Sequence, residues 1–144
     1  MAAEPSEIIH ATCVSLDGSG TLIMGASGSG KSSLALQLIA YGAQLVSDDR
    51  TILTASGTRL MASCPDTIAG LIEARGVGIL RLPHQHRTRI EFIVDLDSPE
   101  HKRLPEPHCK TLMGVTLPCL WHAPSAHFAV AVLQYMRGGV PLAP

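Results

Sequence analysis

Eight consecutive residues carry the clearest chemistry in this sequence: Gly25-Ala26-Ser27-Gly28-Ser29-Gly30-Lys31-Ser32. They meet the pattern Gly-x-x-x-x-Gly-Lys-Ser/Thr in full. Phosphate oxygens must be approached by several backbone N–H groups at once. Gly25, Gly28 and Gly30 remove side chains that would block that approach, and glycine accepts the positive φ it requires. Lys31 is then within reach of β and γ phosphates, and the Ser32 hydroxyl can ligate Mg²⁺. A glycine/serine linker could match the pattern by accident. Context argues against it, because an apolar strand precedes the loop and an amphipathic helix follows.

Acidic residues come next. Asp48-Asp49 follows Ser32 by sixteen and seventeen residues, at the end of an apolar run. One carboxylate beside a γ-phosphate can accept a hydroxyl proton as the new P–O bond forms. Two adjacent carboxylates repel, which favours a nearby cation. An ordinary Asp-Asp turn is the bland alternative, and it weakens beside a phosphate loop. His10 lies fifteen residues before Gly25. By itself it is as easily a hydrogen-bonded strand histidine. Glu73 and Arg75 stand in Glu73-Ala74-Arg75-Gly76-Val77-Gly78-Ile79.

The elements that must position these residues follow from pattern. Strands are expected at Ile8–Leu16, Thr21–Met24 and Ala43–Ser47, with a turn at residues 17–20. A helix is expected from Lys31 to about Tyr41, ended by Gly42. Thr51–Thr54 and Thr58–Ala62 predict a hairpin. Pro65-Asp66 predicts a helix through Ile72, capped by Asp66. Further strands are expected at Gly76–Leu80, Ile90–Leu96 and Leu112–Leu120. His84–Arg89 is expected as a mobile loop and Ser98–His108 as a proline-rich loop. A last helix is expected over Ala126–Arg137, stopped by Gly138-Gly139. Strands alternating with helices predict an α/β sheet protein.

Composition narrows the function classes. The chain of 144 residues fits one domain, 1–144. Hydrophobic residues make up 46% and charged residues 16%, which permits a buried core. Net charge is −1 and aromatics are 3%, so no nucleic-acid surface is expected. No run approaches the roughly 18 apolar residues of a membrane helix. Met1–Ile9 lacks the form of a secretory signal. A cytoplasmic protein with Cys13, Cys64, Cys109 and Cys119 reduced is therefore expected. Cys119-x-x-His122 has ligand-like spacing. His84, His86, His108 and Cys109 offer no matching second pair, so the set is not read as a zinc site. No Asn-Lys-x-Asp and no Leu-Ser-Gly-Gly-Gln occurs. A switch GTPase and a transporter ATPase are thereby disfavoured.

The loop at Gly25–Ser32, Leu-Val-Ser-Asp-Asp at Leu45–Asp49 and Glu-Ala-Arg-Gly-Val-Gly-Ile at Glu73–Ile79 together resemble HPr kinase/phosphorylase. The resemblance runs well over residues 8 to 80 and weakly beyond. It implies a P-loop kinase domain of the HPr kinase/phosphoenolpyruvate-carboxykinase-like fold, with a central mixed sheet and flanking helices, and without the N-terminal domain of long members. It implies an ATP- and Mg²⁺-dependent serine kinase acting on HPr, the phosphocarrier of the bacterial sugar phosphotransferase system, and reversal of the reaction with inorganic phosphate. It places the general base at Asp49, with Asp48 holding a metal-bound water; which of the two is the base stays open. It gives Lys31 and His10 to the active site, His10 as orienting Asp49, and Ser32 and Glu73 to Mg²⁺. Arg75 becomes a candidate contact to phosphate or partner. Family members are hexameric, which leaves homo-oligomerisation open here.

The sequence also departs from the family pattern. A Pro-Gly-Arg-Asn-like segment is usual before the late helix, with an arginine that acts in catalysis. His122-Ala123-Pro124-Ser125-Ala126-His127 has no arginine there. Arg50, Arg75 and Arg137 are the candidates to compensate. Position 33 is Ser where Glu is common. These losses touch partner binding and dephosphorylation and spare the nucleotide site. A nucleotide-sensing module with weak or no catalysis is the alternative from another class. A small-molecule hydroxyl kinase is a third, but the short loops offer little for a lid.

Overall fold

The computed structural model describes residues 4–139 and 141–142. The N-terminal residues 1–3, Val140 and residues 143–144 lie outside the described residues, and so do the parts of the readings above that fall on them. Eleven strands and two helices occur among the described residues. The strands are β1 (Ser6–Ile9), β2 (Ala11–Leu16), β3 (Ser19–Met24), β4 (Gln44–Ser47), β5 (Thr51–Ser56), β6 (Arg59–Ser63), β7 (Leu71–Ala74), β8 (Gly78–Arg81), β9 (Arg87–Pro99), β10 (His108–Leu112) and β11 (Val115–His122). The helices are α1 (Lys31–Ala40) and α2 (Phe128–Met136).

Nine strands form one mixed sheet in the order β1-β5-β6-β9-β3-β2-β4, with the β10–β11 hairpin joined through β11 to β9. The pairs β3–β9 and β9–β11 are parallel and the others antiparallel. β9 is the axis. Its first residues pair with β6, its last with β11, and β3 runs along its other edge. Opposite Gly20 and Thr21, β9 holds one extra residue, Glu91. That bulge explains why Ile90 and Ile93 share one face while Phe92, Val94 and Leu96 share the other.

The period-2 alternation sorts the apolar residues into two cores. Val14, Leu16, Ile23, Phe92 and Val94 meet Leu34, Ala35 and Leu38 of α1 and Val132, Leu133 and Met136 of α2. On the opposite face Cys13, Leu22, Val46, Leu53, Leu60, Ile93 and Cys119 pack together without a helix. The sheet closes that core by curling on itself. Both helices therefore cover a single face.

Several expected elements are corrected. The expected strand 8–16 is broken at His10 into β1 and β2, which pair with different partners. The expected helix through Ile72 is a single 3₁₀ turn at Asp66–Ile68, followed by β7. β7 and β8 form their own two-stranded sheet, and Ile72 buries against α1. The expected loop at 84–89 is partly strand, since β9 begins at Arg87, and His84 bridges to Leu45. The expected strand 112–120 is β11 from Val115 onward, while Leu112 ends β10 and Met113-Gly114 form the turn between the two.

Candidate active site

The candidate residues meet where strands of one direction end. β3 and β9 are parallel, and β4 shares their direction because β2 is antiparallel to both β3 and β4. The C-terminal ends of these strands deliver the glycine loop, Asp48-Asp49 and Asp97 to one edge of the sheet. The N-terminal end of β2 adds His10 and Thr12. Ligand sites in open α/β sheets lie at such carboxyl ends.

The loop between β3 and α1 is tightly folded. A Cβ at Gly25 would collide with Ser29 and stand 3.2 Å from Leu96 Cβ, so only glycine fits. Gly30, at the helix N-cap, has φ +102, a left-handed value that glycine takes without strain. No side chain caps α1, and its first turn holds no acidic residue. Its orphan N–H donors are left to face an anion. Lys31 is only 6% exposed. Its Nζ donates to the carbonyls of Gly25 at 2.8 Å and Ala26 at 3.2 Å. The ammonium is thus folded into the loop's mouth. Ser29 Oγ is buried there without a hydrogen-bond partner.

Asp48 joins four elements. Its Oδ1 accepts from Ser32 Oγ at 2.7 Å and from Thr12 Oγ1 at 2.9 Å. Its Oδ2 accepts from the Glu73 N–H at 3.1 Å. The carboxylate is 8% exposed and ties α1, β2 and β7 to the end of β4. Asp49 differs in every respect. It sits at the centre of a γ-turn, closed by the Arg50 N–H donating to the Asp48 carbonyl at 2.8 Å. Its φ is +67, an unusual and strained value for a residue with a side chain. The turn leaves its carboxylate 57% exposed, with Oδ1 3.4 Å from His10 Nδ1. Thr12 serves both acids, since its hydroxyl also accepts from the Asp49 N–H at 3.1 Å.

A cleft of about 450 Å³ gathers most of the set; His10, Gly25, Ala26 and Ser29 do not line it, and His10 stands behind Asp49. Ser27, Gly28, Gly30, Lys31, Ser32, Asp48, Asp49, Glu73 and Arg75 all line it. Of the three arginines considered above, Arg50 and Arg75 line the cleft. Arg137 is bound elsewhere, its Nη2 donating to the Tyr41 carbonyl. Ile68, Leu71 and Ile79 supply an apolar wall that the sequence did not single out. Nor did it single out Thr12 or Asp97. Both oxygens of Asp97 accept from the Ala26 N–H, at 3.1 and 2.9 Å.

This geometry has close counterparts. The model of the HPr Serine kinase C-terminal domain matches residues 2–117. The chain belongs to that family. Among the HPr kinase family's curated members, the HPr kinase/phosphorylase of Mycoplasmopsis pulmonis is 35% identical over 102 residues, covering 66% of this chain and 33% of the relative. That of Brevibacillus brevis is 44% identical over 79 residues, 54% of this chain and 25% of the relative. The chain therefore spans a quarter to a third of the length of those two relatives. The solved HPr(Ser) kinase/phosphatase of Coxiella burnetii superposes with a TM-score of 0.78 at 26% identity. That match covers 92% of this chain and 95% of the other.

Two members of the His/Cys set, His108 and Cys119, are packed into the fold. His108 Nε2 lies 2.8 Å from Glu100 Oε1, and its ring stacks on Trp121 with centroids 3.5 Å apart. Burial raises the Cys119 thiol to about 11 and raises Cys13 further. Among the described residues no three His, Cys, Asp or Glu side chains converge as a metal site, and no helix is long and apolar enough to cross a membrane.

Proposed function

We propose that this chain is an ATP- and Mg²⁺-dependent protein-serine kinase of the cytoplasm that phosphorylates HPr. The observation that carries this reading is the contrast between two adjacent acids in one cleft. Asp48 is buried and held by three donors. Asp49 is exposed, unclamped on its carboxylate except for His10, and presented by a strained turn beside Lys31. The same pair of types supports a division of labour. Asp48 organises the cation side, and Asp49 takes the serine proton.

The residues present fit the nucleotide and the metal. An uncapped helix start and the Lys31 ammonium suit a triphosphate tail. Ser32 Oγ and the Glu73 carboxylate are hard oxygen donors, with Asp48 to hold a metal-bound water. The protein alone offers too few such groups to make a closed cage. That is the normal situation for Mg²⁺, which completes its shell with phosphate and water. A bound Mg²⁺ neutralises charge that develops on the phosphates. Lys31 must leave the Gly25 and Ala26 carbonyls to meet phosphate. Asp49 holds the transferred proton, and the same carboxylate returns it when inorganic phosphate drives the reverse reaction.

The test mixes the protein with HPr, ATP and Mg²⁺ and looks for phosphoserine by mass. Product is expected, and Asp49→Asn is expected to abolish it while nucleotide still binds. Lys31→Ala is expected to weaken nucleotide binding itself. Nucleotide binding without phosphoserine in the unmodified protein would favour the sensing module instead.

A further inference from the structure

Asp49 keeps an unfavourable backbone conformation, and neighbouring groups must hold it there. A residue with a side chain stays at φ +67 in a γ-turn only where its surroundings over-determine it. The turn's own bond, from the Arg50 N–H to the Asp48 carbonyl, is one restraint. Two more come from the first residues of β2. The Ala11 N–H donates to the Asp49 carbonyl at 3.2 Å. The Asp49 N–H donates to Thr12 Oγ1 at 3.1 Å. The Ala11 restraint is backbone, so any residue except proline supplies it. The Thr12 restraint is a side chain, so it depends on residue type. Thr12 is fully buried. Its hydroxyl has one proton to give and lone pairs to accept with. The Asp49 N–H can only donate. The Thr12 proton therefore points at Asp48 Oδ1, 2.9 Å away. Both partners fix the hydroxyl, and branching at Cβ stiffens the side chain that carries it.

Resting on the kinase reading above, we infer that Thr12 is a positioning residue whose hydroxyl clamps Asp49 in the strained turn. The clamp keeps the Asp49 carboxylate presented to the cleft. A buried hydroxyl that only had to be satisfied would need one partner. This one joins two adjacent acids that lie 36 and 37 residues away along the chain. The two acids depend on it unequally. Asp48 also accepts from Ser32 Oγ and the Glu73 N–H, so its carboxylate stays held without Thr12. The Asp49 N–H has no other acceptor among the described residues. Losing the hydroxyl therefore loosens the proton-accepting side of the cleft and spares the nucleotide side.

The test compares Thr12→Val, which keeps the shape and deletes the hydroxyl, with Thr12→Ser, which keeps the hydroxyl. Hydrogen exchange at the Asp49 amide, followed by NMR without nucleotide, reads the clamp directly. Thr12→Val is expected to speed that exchange about tenfold or more, and Thr12→Ser to stay close to the native rate. Kinetics read the consequence. Thr12→Val is expected to lower kcat for HPr phosphorylation about 10–100-fold with the KM for ATP unchanged, and Thr12→Ser to recover most of it. Native-like exchange at Asp49 in Thr12→Val overturns the clamp. So does an unchanged kcat. A fall in kcat matched by a rise in the KM for ATP also overturns it, because the hydroxyl then acts through Asp48 and the nucleotide side. If the native protein transfers no phosphate to HPr, the kinase reading falls and the exchange comparison alone decides the clamp. Circular dichroism checks that the variants fold. Should Thr12→Val not fold, the native protein still decides: an Asp49 amide that exchanges as fast as an unprotected one overturns the clamp, and a protected amide with native-like exchange in Thr12→Ser supports it.

Discussion

Ser32 Oγ and Asp48 Oδ1 are 2.7 Å apart, and this bond fastens the first turn of α1 to the end of β4. The same carboxylate satisfies Thr12 and the backbone of Glu73. Asp48→Ala strands the buried Thr12 hydroxyl and removes the partner of two part-buried donors, Ser32 Oγ and the Glu73 N–H. Leaving buried donors unpaired costs about 1–3 kcal/mol. For a domain of this size that lowers the melting temperature by roughly 3–10 °C. Scanning calorimetry reads it directly. A melting temperature within a degree of the native protein would show that Asp48 does not hold the site together.

Asp49 predicts the opposite balance. Its side chain is exposed and makes no buried contact, and asparagine accepts a positive φ at least as readily as aspartate. Asp49→Asn should change stability by no more than about 0.5 kcal/mol. Turnover should fall by about 10²–10⁴ if this carboxylate is the base. His10→Asn acts only through Asp49 and should lower kcat by about tenfold, with the KM for ATP unchanged. Parallel calorimetry and steady-state kinetics separate the two acids. Equal loss of stability in Asp48→Ala and Asp49→Asn would contradict the structural contrast.

The glycine loop was legible because its chemistry is local: close packing at Gly25, positive φ at Gly30 and a helix start follow from eight neighbouring residues. The α/β class and both long helices were legible from periodicity, and the mixed character of the sheet followed from the family resemblance. The segment 66–74 was not. Leu71-Ile72-Glu73-Ala74 contains good helix formers, and pairing with β8 overrode that preference. The break at His10 was hidden because Ile8, Ile9, Val14 and Leu16 look like one branched run. The partners of the loop were hidden for another reason. Asp97 and Ala26 are 71 residues apart, and only the parallel pairing of β3 with β9 brings them together. His84–Arg89 looked mobile by polarity, yet its backbone is held against Leu45.

Asp97 carries a prediction of its own. It grips the first amide of the loop with both oxygens, and its own N–H donates to Asp95 Oδ1 at 2.9 Å. The grip fixes where the loop leaves β3, and further along the Ser29 N–H closes the loop on the Ala26 carbonyl at 3.0 Å. Asp97→Ala should speed hydrogen exchange at Ala26 and weaken ATP binding about tenfold, without altering the pH profile of kcat. Asp97→Asn keeps an acceptor and should recover part of the affinity. Unchanged exchange at Ala26 in Asp97→Ala would refute the tether.

The thiols should divide sharply. Cys109 is exposed, whereas Cys13, Cys64 and Cys119 are buried. Burial pushes the Cys119 thiol to about 11 and lifts Cys64 as well. At pH 8 a thiol of pKa about 11 is roughly one part in a thousand thiolate, and the thiolate is the reactive form. Iodoacetamide should therefore modify Cys109 alone in the native protein and all four cysteines in urea. Mass mapping of the labelled peptides gives the answer, and native labelling of Cys119 would contradict its burial.

Glu100 links the proline-rich loop to β10. Its carboxyl is held below its ordinary value of 4.5, first by the hydrogen bond from His108, against the opposing effect of burial. A carboxylate whose folded pKa is depressed stabilises the fold fully above its unfolded pKa. That contribution drains away as pH falls through the folded value. The native protein should therefore exceed Glu100→Gln in stability by a constant margin from about pH 5 to 6. The margin should shrink steadily below about pH 4.5, as the native carboxylate takes up the proton it had been denied. Urea melts at intervals between pH 3 and 6 measure that margin. A margin that stays flat down to pH 3 would mean that folding leaves the Glu100 pKa where the unfolded chain has it, and that the stacked His108–Trp121 pair alone holds the loop end.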